Sequence, residues 1–265
     1  MIICPNCGAS NPSDAMTCSE CMVLLNKEKL PKEKKDDFAT KFGQTVSKMD
    51  LEKLSNRKIA DIMFVFDCTG SMSGEIKAMQ EAIIDFASSV TSEGLDIRVG
   101  LIEFRDRTIG EEHKLHKFSG EVFTKKIKEF QNSISSLRAT GGGPAPESSP
   151  DAIMLALEQD FRDCPNKTIV LITDAPPHLP DKETQSYEQV VNKMKEKDTN
   201  QFYIVTMLQS PECHVHLKLL EGIQENGGDG LAFELSKKDV ERKEHFKKVL
   251  QGLAKSISSK SVICS

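Results

Sequence analysis

The sequence predicts an α/β fold: a doubly wound, mostly parallel sheet preceded by a small cysteine-rich module. Three observations lead there. Two nearly continuous apolar runs, "DIMFVFD" (61–67) and "KTIVLITD" (167–174), read as strands buried on both faces. Around them, segments with a helical apolar stripe alternate with further strands. The first 25 residues are too few to bury a core, yet they carry two C-x-x-C pairs.

The cysteine module, residues 1–25, pairs Cys4 with Cys7 and Cys18 with Cys21. Two knuckles of two thiolates suit a tetrahedral zinc ion, whose binding would supply the folding energy. Gly8 follows the first pair, where a knuckle often needs positive φ. Four thiolates leave no open position, so the zinc is structural rather than catalytic. A redox C-x-x-C is the competing reading, but that motif normally occurs once and beside a βαβ pattern. The stretch resembles the zinc ribbons of many prokaryotic proteins in their C-P-N-C-G form.

Residues 26–57 are charged and poor in apolar side chains, and read as a linker. The large domain occupies 58–260, followed by a tail at 261–265. Its first strand, 61–67, leads to a helix over 75–90 with Ile76, Met79, Ile83, Phe86 and Val90 on one stripe. "DIRVGLIEFRD" (96–106) is a second strand, and "HKLHKF" (113–118) is a short strand at an edge. Residues 121–137 are helical, 140–150 form a loop, and 151–161 form a helix. The strand 167–174 follows, then a helix over 183–197 and a strand over 201–208. A helix over 214–226, a short strand over 230–235 and a helix over 239–257 complete the pattern.

The chain of 265 residues has a net charge of -5, with 38% hydrophobic and 28% charged residues. Nothing in that balance calls for nucleic acid. No run is apolar and long enough to span a bilayer, and the N-terminus lacks a signal-peptide pattern. The expectation is a cytoplasmic protein, whose eight cysteines are metal ligands or reduced thiols.

Asp67 closes the first strand of the large domain, and Thr69 and Ser71 alternate with it in a glycine-permitted turn. Asp174 closes a second strand. In a doubly wound sheet, such strand ends meet where the strand order reverses. Carboxylate and hydroxyl oxygens suit a hard divalent cation, magnesium or manganese, better than zinc or copper. A D-x-T-G-S string alone could instead be an acid with a helix cap.

Asp67-x-Thr69-x-Ser71, with Asp174 after "VLIT", resembles the metal-ion-dependent adhesion site of von Willebrand factor A domains. "DCTGSM", "FRD", "GGG…PE" and "TDAPPH" are most similar to the intracellular D-x-T-G-S-M branch of that family. The resemblance spans about residues 58–260. It implies that Thr69 and Ser71 bind magnesium directly, and that Asp67 and Asp174 bind it directly or through water. An Asp or Glu of a partner protein would take the open position. One position departs from the pattern: Pro144 stands where the branch usually has an Asp near the metal. Thr140, Glu147, Ser148 and Ser149 are the nearby oxygen donors, and Thr140 is carried as a fifth candidate ligand.

Other groups have blander readings. Cys213, His214 and His216 in "CHVH" are spaced too closely to converge on a metal and read as core or surface residues. Arg105 and Asp106 line the rim or form a surface salt bridge. His178 is a loop histidine, because no nucleophile pattern accompanies it. The function expected is a non-catalytic, cytosolic adaptor that captures an acidic side chain. A nucleic-acid-associated protein is the first alternative, disfavoured by the acidic balance. A metal-assisted hydrolase using Asp67 and Asp174 is the second, disfavoured by the lack of a placed base.

Overall fold

The computed structural model describes residues 1–27, 58–92, 95–163, 166–235 and 242–262. Most of the linker assigned to 26–57 therefore lies outside the described residues, as do Cys164 and Cys264.

The cysteine module holds β1 (Ile2–Ile3) antiparallel to β2 (Ser10–Asn11). In the large domain, β3 (Lys58–Asp67) is followed by α1 (Ser73–Ser92), β4 (Leu95–Phe104), β5 (Lys114–Leu115), α2 (Ile127–Ser136) and α3 (Ser149–Leu157). Then come β6 (Lys167–Ile172), α4 (Tyr187–Glu196), β7 (Gln201–Thr206), α5 (Val215–Glu225), β8 (Ala232–Glu234) and α6 (Arg242–Lys260). Six strands form one sheet in the order β5-β4-β3-β6-β7-β8. All neighbours are parallel except β5, which pairs antiparallel with β4 at an edge. The mostly parallel, doubly wound α/β sheet is the one expected.

β3 has β4 on one side and β6 on the other, so the strand order reverses between β3 and β6. The two apolar clusters lie on opposite faces of the sheet. One contains Phe64, Phe66, Ile76, Met79, Phe86 and Leu253; the other contains Met63, Val65, Ile153, Ile169 and Ile204. The alternation of β3 side chains between them is the period-two signature of a strand covered on both sides. The opposite ends of the strands are fastened by the fully buried Asp61. It accepts from Arg98 Nε at 3.0 Å, Arg162 Nε at 2.7 Å and the Arg162 amide at 2.6 Å.

Several elements are shorter than their apolar patterns. The helix expected over 121–137 begins only at Ile127, because Thr124 forms a bridge to Val99 with bonds of 2.9 and 3.0 Å. The expected strand 113–118 is reduced to its two paired residues. The helix expected at 151 starts at Ser149, with Pro150 in its first turn where a missing N–H costs nothing. Residues 183–186 stay outside α4, with the Glu183 and Thr184 amides bound to Asp151.

The cysteine module lies against the large domain. Val23 bridges Phe233, the Leu24 amide donates to Ala232 O at 3.0 Å, and the Glu234 amide donates to Met22 O at 3.1 Å. The module thus covers the free edge of β8, which would otherwise present unpaired backbone groups. It also meets α6: Asn6 Nδ2 donates to Gly252 O at 3.1 Å, and Lys248 and Lys255 donate to Ser19 O and Cys7 O, each at 3.2 Å. A Cβ on Gly252 would stand 2.7 Å from Cys21 O, so a glycine is what permits this approach. Among the described residues, no helix is long and apolar enough to cross a membrane.

Candidate functional site

Two clusters carry chemistry. In the first, the sulfurs of Cys4, Cys7, Cys18 and Cys21 all lie within 4.8 Å of one another. Cys4 Sγ is 3.7 Å from Cys21 Sγ, and Cys7 Sγ is 3.6 Å from Cys18 Sγ. A tetrahedral zinc ion with bonds of about 2.3 Å requires sulfurs about 3.8 Å apart, so this cluster could hold one. Each knuckle closes on a residue of positive φ, Gly8 at 78° and Met22 at 58°. The sulfurs receive N–H groups: Asn6 Nδ2 on Cys21 at 3.5 Å, and Asn11 Nδ2 and the Glu20 amide on Cys18 at 3.5 and 3.4 Å. Burial alone would raise the Cys18 thiol, but the amides of Cys21 and Glu20 and the Asn11 side chain outweigh it and bring the pKa to about 7.

The second cluster sits at the carboxyl ends of β3 and β6, at the reversal point. Asp67 is fully buried. Its Oδ1 accepts from the Thr69 amide at 2.9 Å and from Thr69 Oγ1 at 2.7 Å, and its Oδ2 accepts from Thr173 Oγ1 at 2.7 Å. Thr69 Oγ1 lies 3.2 Å from Ser71 Oγ, which donates to Asp174 Oδ1 at 3.0 Å. Four residues from two strand ends thus form one unbroken run of oxygens. The turn works because Thr69 stays extended and Gly70 begins a short 3-10 turn leading into α1. Gly142, at φ +74°, passes so close that a Cβ there would stand 2.8 Å from the Thr69 side chain.

Thr69, Ser71 and Asp174 of this run form part of the wall of an open cleft of about 420 Å³, lined also by Gly141, Gly142, Glu147, Ala175, Ser210 and Glu212, with Asp67 buried behind them. Among the 140–149 donors, Glu147 is the one that reaches the cleft. Its residue is 3% exposed, and its Oε2 is buried with no hydrogen-bond partner. Burial foremost, and then the charges of Asp67, Asp106 and Glu111, push its carboxyl up to about 8. Thr140 is exposed and is held by its backbone, which donates to Cys68 O and accepts from Arg105 Nε. Ser148 Oγ is turned away onto Asp181 Oδ1 at 2.8 Å. The sequence named Glu147 only as one donor among four. Ser149 Oγ is likewise buried without a partner but lies outside the lining residues, so what singles out Glu147 is an unpartnered, buried oxygen on a residue of the cleft wall, which a sequence does not display.

The remaining candidates resolve differently. Arg105 braces the glycine loop through Thr140 O and Arg138 O, each at 2.9 Å, so it is more than a surface ion pair. His178 Nε2 lies 3.2 Å from Asp106 Oδ1, outside the residues that line the cleft. Cys213, His214 and His216 do not converge on one another. Each instead meets a backbone carbonyl in a loop at the cleft.

Residues 61–226 match the family model of the von Willebrand factor A domain. The chain is 26% identical over 174 residues to the alpha-protein kinase vwkA of Dictyostelium discoideum, a match covering 64% of this chain and 26% of that protein. It is 28% identical over 185 residues to hemicentin-1 of Homo sapiens, covering 68% of this chain and 3% of that protein. The matched segment is therefore about a quarter of the first relative and a small fraction of the second. Among solved structures, the pilus adhesin SpaC of Lactobacillus rhamnosus GG superimposes with a TM-score of 0.51 at 18% identity, over 79% of this chain and 31% of that one. The PilB minor pilin of Streptococcus sanguinis gives 0.50 at 12% identity, over 80% and 65%. At such identities the likeness is one of fold.

Proposed function

The chain belongs to the von Willebrand factor A domain family, and from that premise we propose that it is a non-catalytic protein-interaction module. Its cleft binds Mg2+ or Mn2+ and, through that ion, an Asp or Glu side chain of a partner protein. The observation that carries this reading is the continuous oxygen run Asp67–Thr69–Ser71–Asp174, whose last three members line an open cleft. Magnesium takes six oxygens and parts reluctantly with its waters, so a few protein oxygens leave room for an incoming carboxylate. Thr69, Ser71 and Asp174 face the cleft and supply direct ligands, while Asp67 stands behind Thr69 and orients it. Glu147 supplies the loop carboxylate that Pro144 lacks, and an ion would neutralise the acids that crowd it. Thr140 plays the smaller part of holding the loop through its backbone.

We further assign the four cysteines of residues 1–25 to a structural zinc ribbon, joined by the 26–57 linker to the A domain at 58–260. The charge supports it: Zn2+ with four thiolates carries two negative charges, and Lys248 and Lys255 donate into the same module. The D-x-T-G-S-M signature assigns the protein to the intracellular branch of the family. Cytoplasmic residence agrees with Cys68 and Cys213, which are buried free thiols. Binding rather than catalysis is favoured because no nucleophile pattern accompanies the cleft and His178 lies outside the residues that line it.

The test is recovery of partners by the immobilised full chain with and without added Mg2+, beside Asp174→Ala. The reading expects recovery that requires Mg2+ and is lost in the variant. Equal yields from both proteins would refute it.

A further inference from the structure

The "CHVH" string remains outside the function proposed so far, although its side chains lie beside the cleft. Cys213 and His216 are almost entirely buried, at 1% and 0% exposure. Cys213 Sγ donates to Asp174 O at 3.6 Å, and His216 Nε2 meets Ala175 O at 3.0 Å. A carbonyl only accepts, so Nε2 of His216 carries the proton and Nδ1 is left as an acceptor. Tyr187 Oη, 3.1 Å from Nδ1, is therefore the donor that fixes this tautomer. His214 Nε2 binds Leu208 O at 2.9 Å, at the end of the neighbouring strand.

These bonds act on the peptide units that follow Asp174. Its carbonyl is held by Cys213, and the next amide, of Ala175, donates to Thr173 Oγ1 at 3.1 Å. Thr173 Oγ1 in turn donates to Asp67 Oδ2 at 2.7 Å. The Asp174–Ala175 peptide is thus gripped on both edges, and the Ala175 carbonyl is gripped beyond it. The backbone on the C-terminal side of Asp174 has little freedom left, and its carboxylate is directed toward Ser71. Glu212, in the same short turn as Cys213 and His214, lines the cleft as Asp174 does.

We infer that Cys213, His216 and Tyr187 are positioning residues for the cleft: they fix the Asp174 loop so that its carboxylate stands ready beside Ser71 for a divalent cation. The inference rests on the cation-binding reading given above. Residues that orient metal ligands without touching the metal typically contribute 10–100-fold to affinity. His216→Phe removes the donor to Ala175 O, whereas His216→Gln can return an amide N–H to the Nε2 position. Tyr187→Phe keeps the ring and removes the hydroxyl.

The experiment is Mn2+ binding to the full chain, followed by the paramagnetic signal of free Mn2+, with thermal melts to select folded variants. His216→Phe is expected to weaken binding about tenfold and Tyr187→Phe severalfold, with His216→Gln restored to within about threefold of wild type. If His216→Phe does not fold, Tyr187→Phe and His216→Gln carry the comparison. Folded variants that bind as tightly as wild type, while Asp174→Ala has lost the ion, would overturn the positioning role alone. A wild-type protein that binds no Mn2+ would overturn the cation reading and this inference with it.

Discussion

The cysteine module and the oxygen cleft are both metal-site candidates, and they differ in what holds them together. In the cleft, the oxygens of the run from Asp67 to Asp174 already satisfy one another: Asp67 is bonded by Thr69 and Thr173, and Ser71 by Asp174. Strand ends of a complete sheet fix their places. In the module, two short strands and two knuckles surround four sulfurs that have chiefly each other and a few N–H groups. The cleft is thus built without an ion, and on the proposed reading an ion there would come and go with a partner. Besides its docking on β8 and α6 the module has little to hold it, so a zinc ion bound there would be part of the fold.

The sharpest way to break this contrast is to remove one thiolate. Cys18→Ser should abolish zinc binding, and because the module covers β8 it should lower the melting midpoint of the whole protein. A loss of about 2 kcal/mol would appear as roughly 4–8 °C in a chain of this size. Elemental analysis with calorimetric melting checks both, and an unchanged midpoint would mean that the module is thermodynamically separate.

Next in size is Gly252→Ala, whose methyl would collide with Cys21 O and Cys21 Cβ. Such overpacking costs about 1–3 kcal/mol. Denaturant unfolding should register it while Mn2+ affinity at the cleft stays as in wild type. A parallel loss of Mn2+ affinity would show that the two regions are coupled.

A further effect comes from pH. Glu147 and Glu234 have carboxyls raised to about 8 and about 7, chiefly by burial. An acid whose pKa is higher folded than unfolded holds its proton only in the folded state between those two values. Stability of the cation-free protein should therefore fall as pH rises from about 5 to about 8. In Glu147→Gln the Glu147 share of that slope should vanish, and in wild type added Mg2+ should flatten it. Urea midpoints across this range decide the matter.

The smallest change in stability is expected of Ser71→Ala. Ser71 lies in a solvent-facing turn, so the melt should move by about 1 °C or less while Mn2+ binding weakens about tenfold. A large loss of stability would place Ser71 among the groups that hold the fold.

How much of this was legible beforehand follows from the range of the interactions. The sheet was readable because β3 and β6 are apolar on both faces, and the knuckles because four cysteines at C-x-x-C spacing have few other uses. Asp67, Thr69 and Ser71 are local in sequence, and Asp174 follows an obvious strand, so their convergence was open to inference. What escaped depends on long-range packing. Glu147 is distinguished by its place in the cleft wall with a buried, unpartnered oxygen. The contacts of "CHVH" with carbonyls 39 and 41 residues away leave no spacing signal. The docking of the module on α6 depends on Gly252, more than 200 residues from the cysteines, and nothing local to that glycine announces it.

The central claim is that the cleft is a divalent-cation site built by Asp67, Thr69, Ser71 and Asp174. Its most direct test is equilibrium binding of Mn2+ to zinc-loaded wild type and to Asp174→Ala, with zinc content verified as equal in both. The account predicts about one Mn2+ per wild-type chain and affinity at least about tenfold weaker in the variant. Equal affinity in the two proteins, or no Mn2+ bound by wild type, would contradict it.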